Sequence, residues 1–173
     1  MSALDNQPSN TNFLSPLGFK FQIKKTPNLN FFVQSVNLPS VSIGTIDVST
    51  PFSRIPLPGD KVTFGQLDVT FKVDENMENY LEIYNWIISI GRPDNFTDGA
   101  PLYTAPPMSG TGVNSDLTLV ILTSAMNGNK IINFLDAHPV NLTDITFDST
   151  LSDVEYVTAT VSFDYRRFTI ATL

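Results

Sequence analysis

Only one stretch of the chain, Asn76 to Ile90, carries the three-to-four periodicity of a helix, and the apolar residues elsewhere are spaced for strands. That restricts the chain to a mainly β fold. From Leu17 to Lys25 the residues alternate, with Leu17, Phe19, Phe21 and Ile23 on one face and Lys20, Gln22 and Lys24 on the other, as a half-buried antiparallel strand requires. Thr26-Pro27-Asn28 predicts a turn. A second strand over Leu29 to Asn37 has apolar groups on both faces. In Val62 to Asp74 the apolar positions change parity at Gly65-Gln66, which predicts a β-bulge. Leu117 to Met126, the turn signal Asn127-Gly128 and Lys130 to Asp136 read as a hairpin; Leu142 to Phe147 and Val157 to Ile170 complete the strands. The expected architecture is a β-barrel or sandwich of two packed antiparallel sheets, with one α-helix and a long edge hairpin.

The hairpin is the segment between Leu38 and Gly59, which holds Pro39, Pro51, Pro56 and Pro58. Proline cannot donate to a sheet ladder, so this stretch belongs at an edge. Its apolar residues Ile43, Ile46, Val48, Phe52, Ile55 and Leu57 would then form an arm in need of a partner. The helix is apolar around much of its circumference, and a surface helix needs only a stripe about 100° wide. One side suits the domain's own sheet, and Ile83, Trp86 and Ile90 join the arm as candidate inter-subunit contacts. Asp74 or Asn76 can cap it, and Gly91 with Pro93 stops it. Arg92 to Ser115 is a loop by its Pro, Gly, Ser and Thr content.

Residues 1–12 are polar and aperiodic and read as a flexible arm, leaving 13–173 as a single domain. They hold no basic region followed by an apolar stretch, so a signal peptide is not expected, and no apolar run reaches the length of a membrane span. Synthesis in a cytoplasm is expected. Charged residues make up only 16% of the chain against about 25% in an ordinary domain, which hints at surface covered by partners. With 10 Lys and Arg against 17 Asp and Glu, the chain lacks the basic excess on which phosphate binding depends. It has no cysteine, which excludes disulfides, thiolate metal sites and a cysteine nucleophile.

No constellation of residues points to catalysis. His138, the single histidine, precedes Pro139 without a Ser or Asp motif around it and reads as structural. Asp148, Asp153 and Glu155 lack the glycine-centred loop of a calcium site and read as a solvated turn. Ser109-Gly110-Thr111-Gly112 has neither the Lys-Ser/Thr pair nor the helix of a phosphate loop. Arg166-Arg167 reads as a solvated strand end that could also meet a neighbour's carboxylates. Neither a metal, nor a cofactor, nor an enzymatic activity is expected.

The order of the pieces resembles the tail tube family of contractile-tailed phages, which is related to secretion-system tube proteins. The resemblance rests on the opening strand Phe19-Lys20-Phe21-Gln22-Ile23, the second strand running into Leu38-Pro39, and the arm ending Pro58-Gly59-Asp60. It continues in Leu67 to Val73, in Asp74-Glu75 leading into a helix with Tyr80 and Trp86, and in Val161-Ser162-Phe163-Asp164-Tyr165. The resemblance implies a virion tail protein whose homohexameric rings stack into a tube, with sheath and baseplate or tape-measure proteins as further partners. DNA would pass through without specific binding, and an acidic lumen would agree with the sign of the net charge. A baseplate tube initiator or a tail terminator of the same fold remains an alternative, as does a monomeric small-ligand-binding β-barrel.

Overall fold

The computed structural model describes residues 11–93, 96–99, 112–150 and 156–173. Most of the expected N-terminal arm, Ser109 to Thr111, Asp153 and Glu155 lie outside them. The chain opens with β1 (Phe19–Ile23), a short α1 (Pro27–Phe32) and β2 (Val33–Val36), followed by the hairpin β3 (Val41–Ser49) and β4 (Arg54–Phe64). Strand β5 (Leu67–Lys72) leads into α2 (Glu78–Gly91); β6 (Ser115–Leu122), β7 (Gly128–Leu142), β8 (Thr158–Asp164) and β9 (Arg167–Thr172) follow.

Seven strands form one antiparallel sheet in the order β1-β6-β7-β8-β5-β2, with β9 paired to β7, while β3 and β4 pair only with each other. The fifteen-residue β7 unites the sheet. Its first part pairs with β9 and its second with β8, in nearly the same register, from Lys130↔Thr172 through His138↔Asp164 to Leu142↔Val161. Both ladder partners bend together: Asp136 takes a φ of 57°, Arg166 donates its N–H to the Leu135 carbonyl, and its guanidinium reaches Asp136 Oδ2 at 3.2 Å. The bend folds the sheet into two packed halves. It does not close into a barrel, because β1 and β2 remain as its edges.

Alternation along the strands supplies the core. Leu67, Val69 and Phe71 on β5 face inward with Ala159, Val161 and Phe163 on β8, and the other half adds Phe21, Ile23, Leu117, Ile132 and Phe134. Helix α2 covers this layer, with Trp86 against Phe163 at 6.0 Å between ring centroids.

Several local expectations are corrected. The segment expected as a strand from Leu29 begins as α1, because Pro27 at its first turn is preset for a helix. The Asn30 side chain holds that turn against β1, accepting from Ile23 N–H at 2.8 Å and donating to Ile23 O at 3.0 Å. The parity change at Gly65-Gln66 is not a bulge; it marks where the chain leaves the hairpin for the sheet. There Gly65 donates to Ser40 O, and an added Cβ would lie 2.7 Å from the Ser40 hydroxyl. The turn expected at Asn127-Gly128 instead occupies Thr123 to Asn127, with Met126 in the left-handed region. Pro139 lies inside β7, and Thr143 to Phe147 form no strand. The final segment divides at the bend into β8 and β9.

Candidate assembly surface

The expected arm is the β3–β4 hairpin, and it projects from the body with nearly every residue exposed. Apolar residues oppose one another in two sets: Val41↔Phe64 and Ile43↔Val62 near the root, then Ile46↔Leu57 and Val48↔Ile55 towards the tip. Between the sets the register shifts, with Gly59, Asp60 and Lys61 bulging out opposite Gly44. Only glycine fits at 59, since a Cβ there would lie 2.6 Å from the Gly44 carbonyl oxygen.

Strand β3 runs unbroken through this irregularity, so alternation places Ile46 and Val48 on the opposite face from Val41 and Ile43. At the root, Phe64 packs on Phe168 at 5.4 Å and on Tyr165 at 6.1 Å, and the Tyr165 hydroxyl donates to Gly65 O, while Val41, Ile43 and Val62 stay more than half exposed. The same face at the tip is polar, with Thr45, Asp47 and Ser49 opposite Pro58, Pro56 and Arg54, and with an Arg54–Asp47 ion pair at 2.6 Å. The apolar tip face lies on the opposite side of the hairpin from Val41 and Ile43. Phe52, in the turn, is 98% exposed.

The helix contributes differently from expectation. Ile83 and Trp86 are buried, 0% and 3% exposed, and Ile90 packs against the core; these side chains are spent inside the domain. The outward apolar residues of α2 are Leu81 and Tyr84. Periodicity identified an over-wide apolar surface but could not tell which part met the sheet. Trp86 is fixed by its Nε1–H, which donates to Val113 O at 2.9 Å, and by Lys25, whose ammonium lies 4.9 Å from the ring centre while it donates to Gly112 O. Burial lowers the Lys25 pKa. Neither Asp74 nor Asn76 is the N-cap of α2: that position is Met77, in the left-handed region and without a side-chain cap, while Asp74 Oδ1 accepts from the Asn79 N–H at 3.2 Å and Asn79 donates to Lys72 O at 2.8 Å.

A second apolar surface went unnoticed in the sequence. Phe32, Val73, Met77, Ile145, Phe147 and Tyr156 line an open groove of about 700 Å³ beside the N-terminus of α2. Its residues come from four separate segments, so no local pattern announces it.

His138 sits in the β7–β8 ladder opposite Asp164. Asp148 forms a tight turn with Thr150, whose N–H and hydroxyl hold its carboxyl below the usual range. Arg166 pairs with Asp136 of its own chain. Among the described residues no cluster of three or more His, Asp or Glu side chains is placed to hold a metal, and no helix is long and apolar enough to cross a membrane.

The fold is thus an open antiparallel sheet with an exposed apolar hairpin that pairs with none of its strands. The model of the phage tail tube protein family matches residues 6–171, and the chain belongs to that family. Solved structures share the fold at low identity. The tube-terminating cap of the anti-feeding prophage aligns over all of both chains at 14% identity, with a TM-score of 0.65. A chain of the PVC sheath-tube complex, an extracellular contractile injection system in its extended state, aligns over 100% of this chain and 99% of its own, at 15% identity and a TM-score of 0.64. Hcp1 from Flavobacterium johnsoniae aligns over 91% and 94% at 14% identity, with a TM-score of 0.51. No curated protein matches the chain in sequence.

Proposed function

We propose that the chain is the repeating subunit of a tail tube, forming hexameric rings that stack into a conduit for DNA. The observation that carries this reading is the hairpin, whose apolar residues Ile43, Ile46, Val48, Ile55 and Leu57 are all exposed. A second copy covers it. Residues 13–173 act as one unit, made in the host cytoplasm and built into the virion tail, where the outer surface meets the sheath and the end rings meet baseplate or tape-measure proteins. No cofactor takes part. Size-exclusion chromatography with light scattering, followed by negative-stain electron microscopy, tests the proposal: six-membered rings or hollow tubes are expected, and a strict monomer at high concentration would overturn it.

A second role within the family is supported by the likeness to a tube-terminating cap and to a sheath/tube terminator, the latter at a TM-score of 0.64. A terminator stops at single rings, whereas a tube subunit goes on to long tubes.

A further inference from the structure

Two short linkers join the hairpin to the sheet, Asn37 to Ser40 on the way out and Gly65 with Gln66 on the way back. They are bonded to each other. The Gly65 N–H donates to Ser40 O at 2.9 Å and the Asn37 N–H to Asp68 O at 3.2 Å, while the Asn37 side chain accepts from the Asp68 N–H at 2.7 Å and donates to Gln66 O at 3.4 Å. Arm, linkers and the β2–β5 pair thus continue one another as a two-stranded ribbon. Bonds across a ribbon keep its two strands together, but they leave free the angle at which it bends out of its own plane. A two-stranded hairpin is only marginally held by itself, and β3 and β4 pair with no other strand. The angle of the arm is therefore set at its root, from outside the ribbon.

The brace comes from the bend between β8 and β9. Continuing the β5–β8 register past Leu67↔Phe163 brings Tyr165 beside Gly65, and its hydroxyl donates to Gly65 O at 2.8 Å. Gly65 is thus bonded on both sides: its N–H ties the two linkers together, and its carbonyl ties them to the body. The Tyr165 ring rests on the buried Phe134 at 5.1 Å between centroids and on Phe168 at 6.2 Å, and Phe64, where the arm ends, leans on Tyr165 and Phe168. Burial raises the Tyr165 pKa, and the Asp164 carboxylate adds to the shift, so the hydroxyl keeps its proton and remains a donor.

We propose that Tyr165 is a positioning residue, whose bond to Gly65, with the aromatic packing behind it, sets the direction in which the arm leaves the sheet. The consequence is one of leverage. The nine residues of β3 make a lever about 30 Å long, so a swing of about 10° at the root carries the tip about 5 Å. That exceeds the reach of a side-chain contact, about 4.0–4.5 Å. The bearing on assembly rests on the tube reading: an arm held in one direction meets the next copy without losing binding energy to being ordered first.

The chain has no cysteine of its own, so dyes can be placed where they are wanted. S53C/T158C puts one at the exposed arm tip, where the turn bonds of Ser53 use its backbone, and one at an exposed position on β8. Single-molecule energy transfer, at dilutions that keep subunits apart, should give one narrow distance distribution. Adding Tyr165→Phe should broaden it, and the concentration needed for assembly should rise about fivefold, the equivalent of one ordinary hydrogen bond. Val161→Ala, which loosens the core at a residue away from the arm, should leave the distribution narrow. An unchanged distribution in Tyr165→Phe, or equal broadening in Val161→Ala, would overturn the proposal; broadening with no change in assembly would overturn its bearing on assembly. Should the unsubstituted chain fail to assemble, the tube reading falls, while the distance measurement still decides the role of Tyr165.

Discussion

Trp86 shows how one side chain joins distant parts of the chain. Its indole lies between Lys25 and Phe163, and its N–H satisfies the Val113 carbonyl where β6 is about to begin. Trp86→Phe keeps most of the apolar contact but removes the donor, so a loss of about 1–3 kcal/mol is expected in chemical denaturation. Phe71→Ala, at a site with no exposure, should cost more, about 3–5 kcal/mol, because it opens a cavity in the core. Glu82 offers a pH-dependent test. Burial raises its pKa, and hydrogen bonds at the N-terminus of α1, including one from Asn28 Nδ2 at 2.9 Å, oppose the shift only in part. A carboxyl raised on folding holds its proton more tightly in the folded state, so its contribution weakens as pH rises from 4.5 through the raised value. Wild type should lose stability relative to Glu82→Gln across that window; parallel curves of unfolding midpoint against pH would refute the assignment.

At the scale of elements, the hairpin yields the sharpest expectation. Val48 and Ser49 are neighbours in sequence but project to opposite faces of β3. With V48C and S49C in separate proteins, assembly should protect the cysteine at 48 from a maleimide and leave that at 49 reactive; equal protection would mean that the arm is covered on both sides. Val48→Asp or Phe52→Asp should block assembly while circular dichroism and the thermal midpoint stay near wild type, since both residues lie outside the core. A loss of folding would show instead that the arm stabilises the domain. Much of this element was legible beforehand, because prolines and exposed apolar residues leave a local mark. The strand alternation of β1, β5 and β8 was legible for the same reason. What local pattern could not supply was pairing: that β4 and β5 belong to different layers, that Pro139 is tolerated within β7, and that the inner side of α2 takes Ile83 and Trp86. The change of face at Gly44 is visible only once register is known.

At the scale of the whole molecule, exposed apolar groups lie on the arm, on the outer side of α2, around the groove at Phe147 and Tyr156, at Phe13, Leu17 and Phe31 near β1, and at Met126, Ile170 and Leu173. Surfaces of this kind are where association occurs. Purified protein should therefore associate through apolar contacts, and raising the salt concentration should preserve its rings or tubes; dissociation in moderate salt would point to contacts made by charge. The exposure of the hairpin also bears on timing. In a lone subunit the apolar side chains of the arm, Ile43, Ile46, Val48, Ile55 and Leu57, stand in solvent rather than against their own domain. On the proposed tube reading, a newly made copy needs no release from a self-inhibited form, and its wait is set by how many others are nearby.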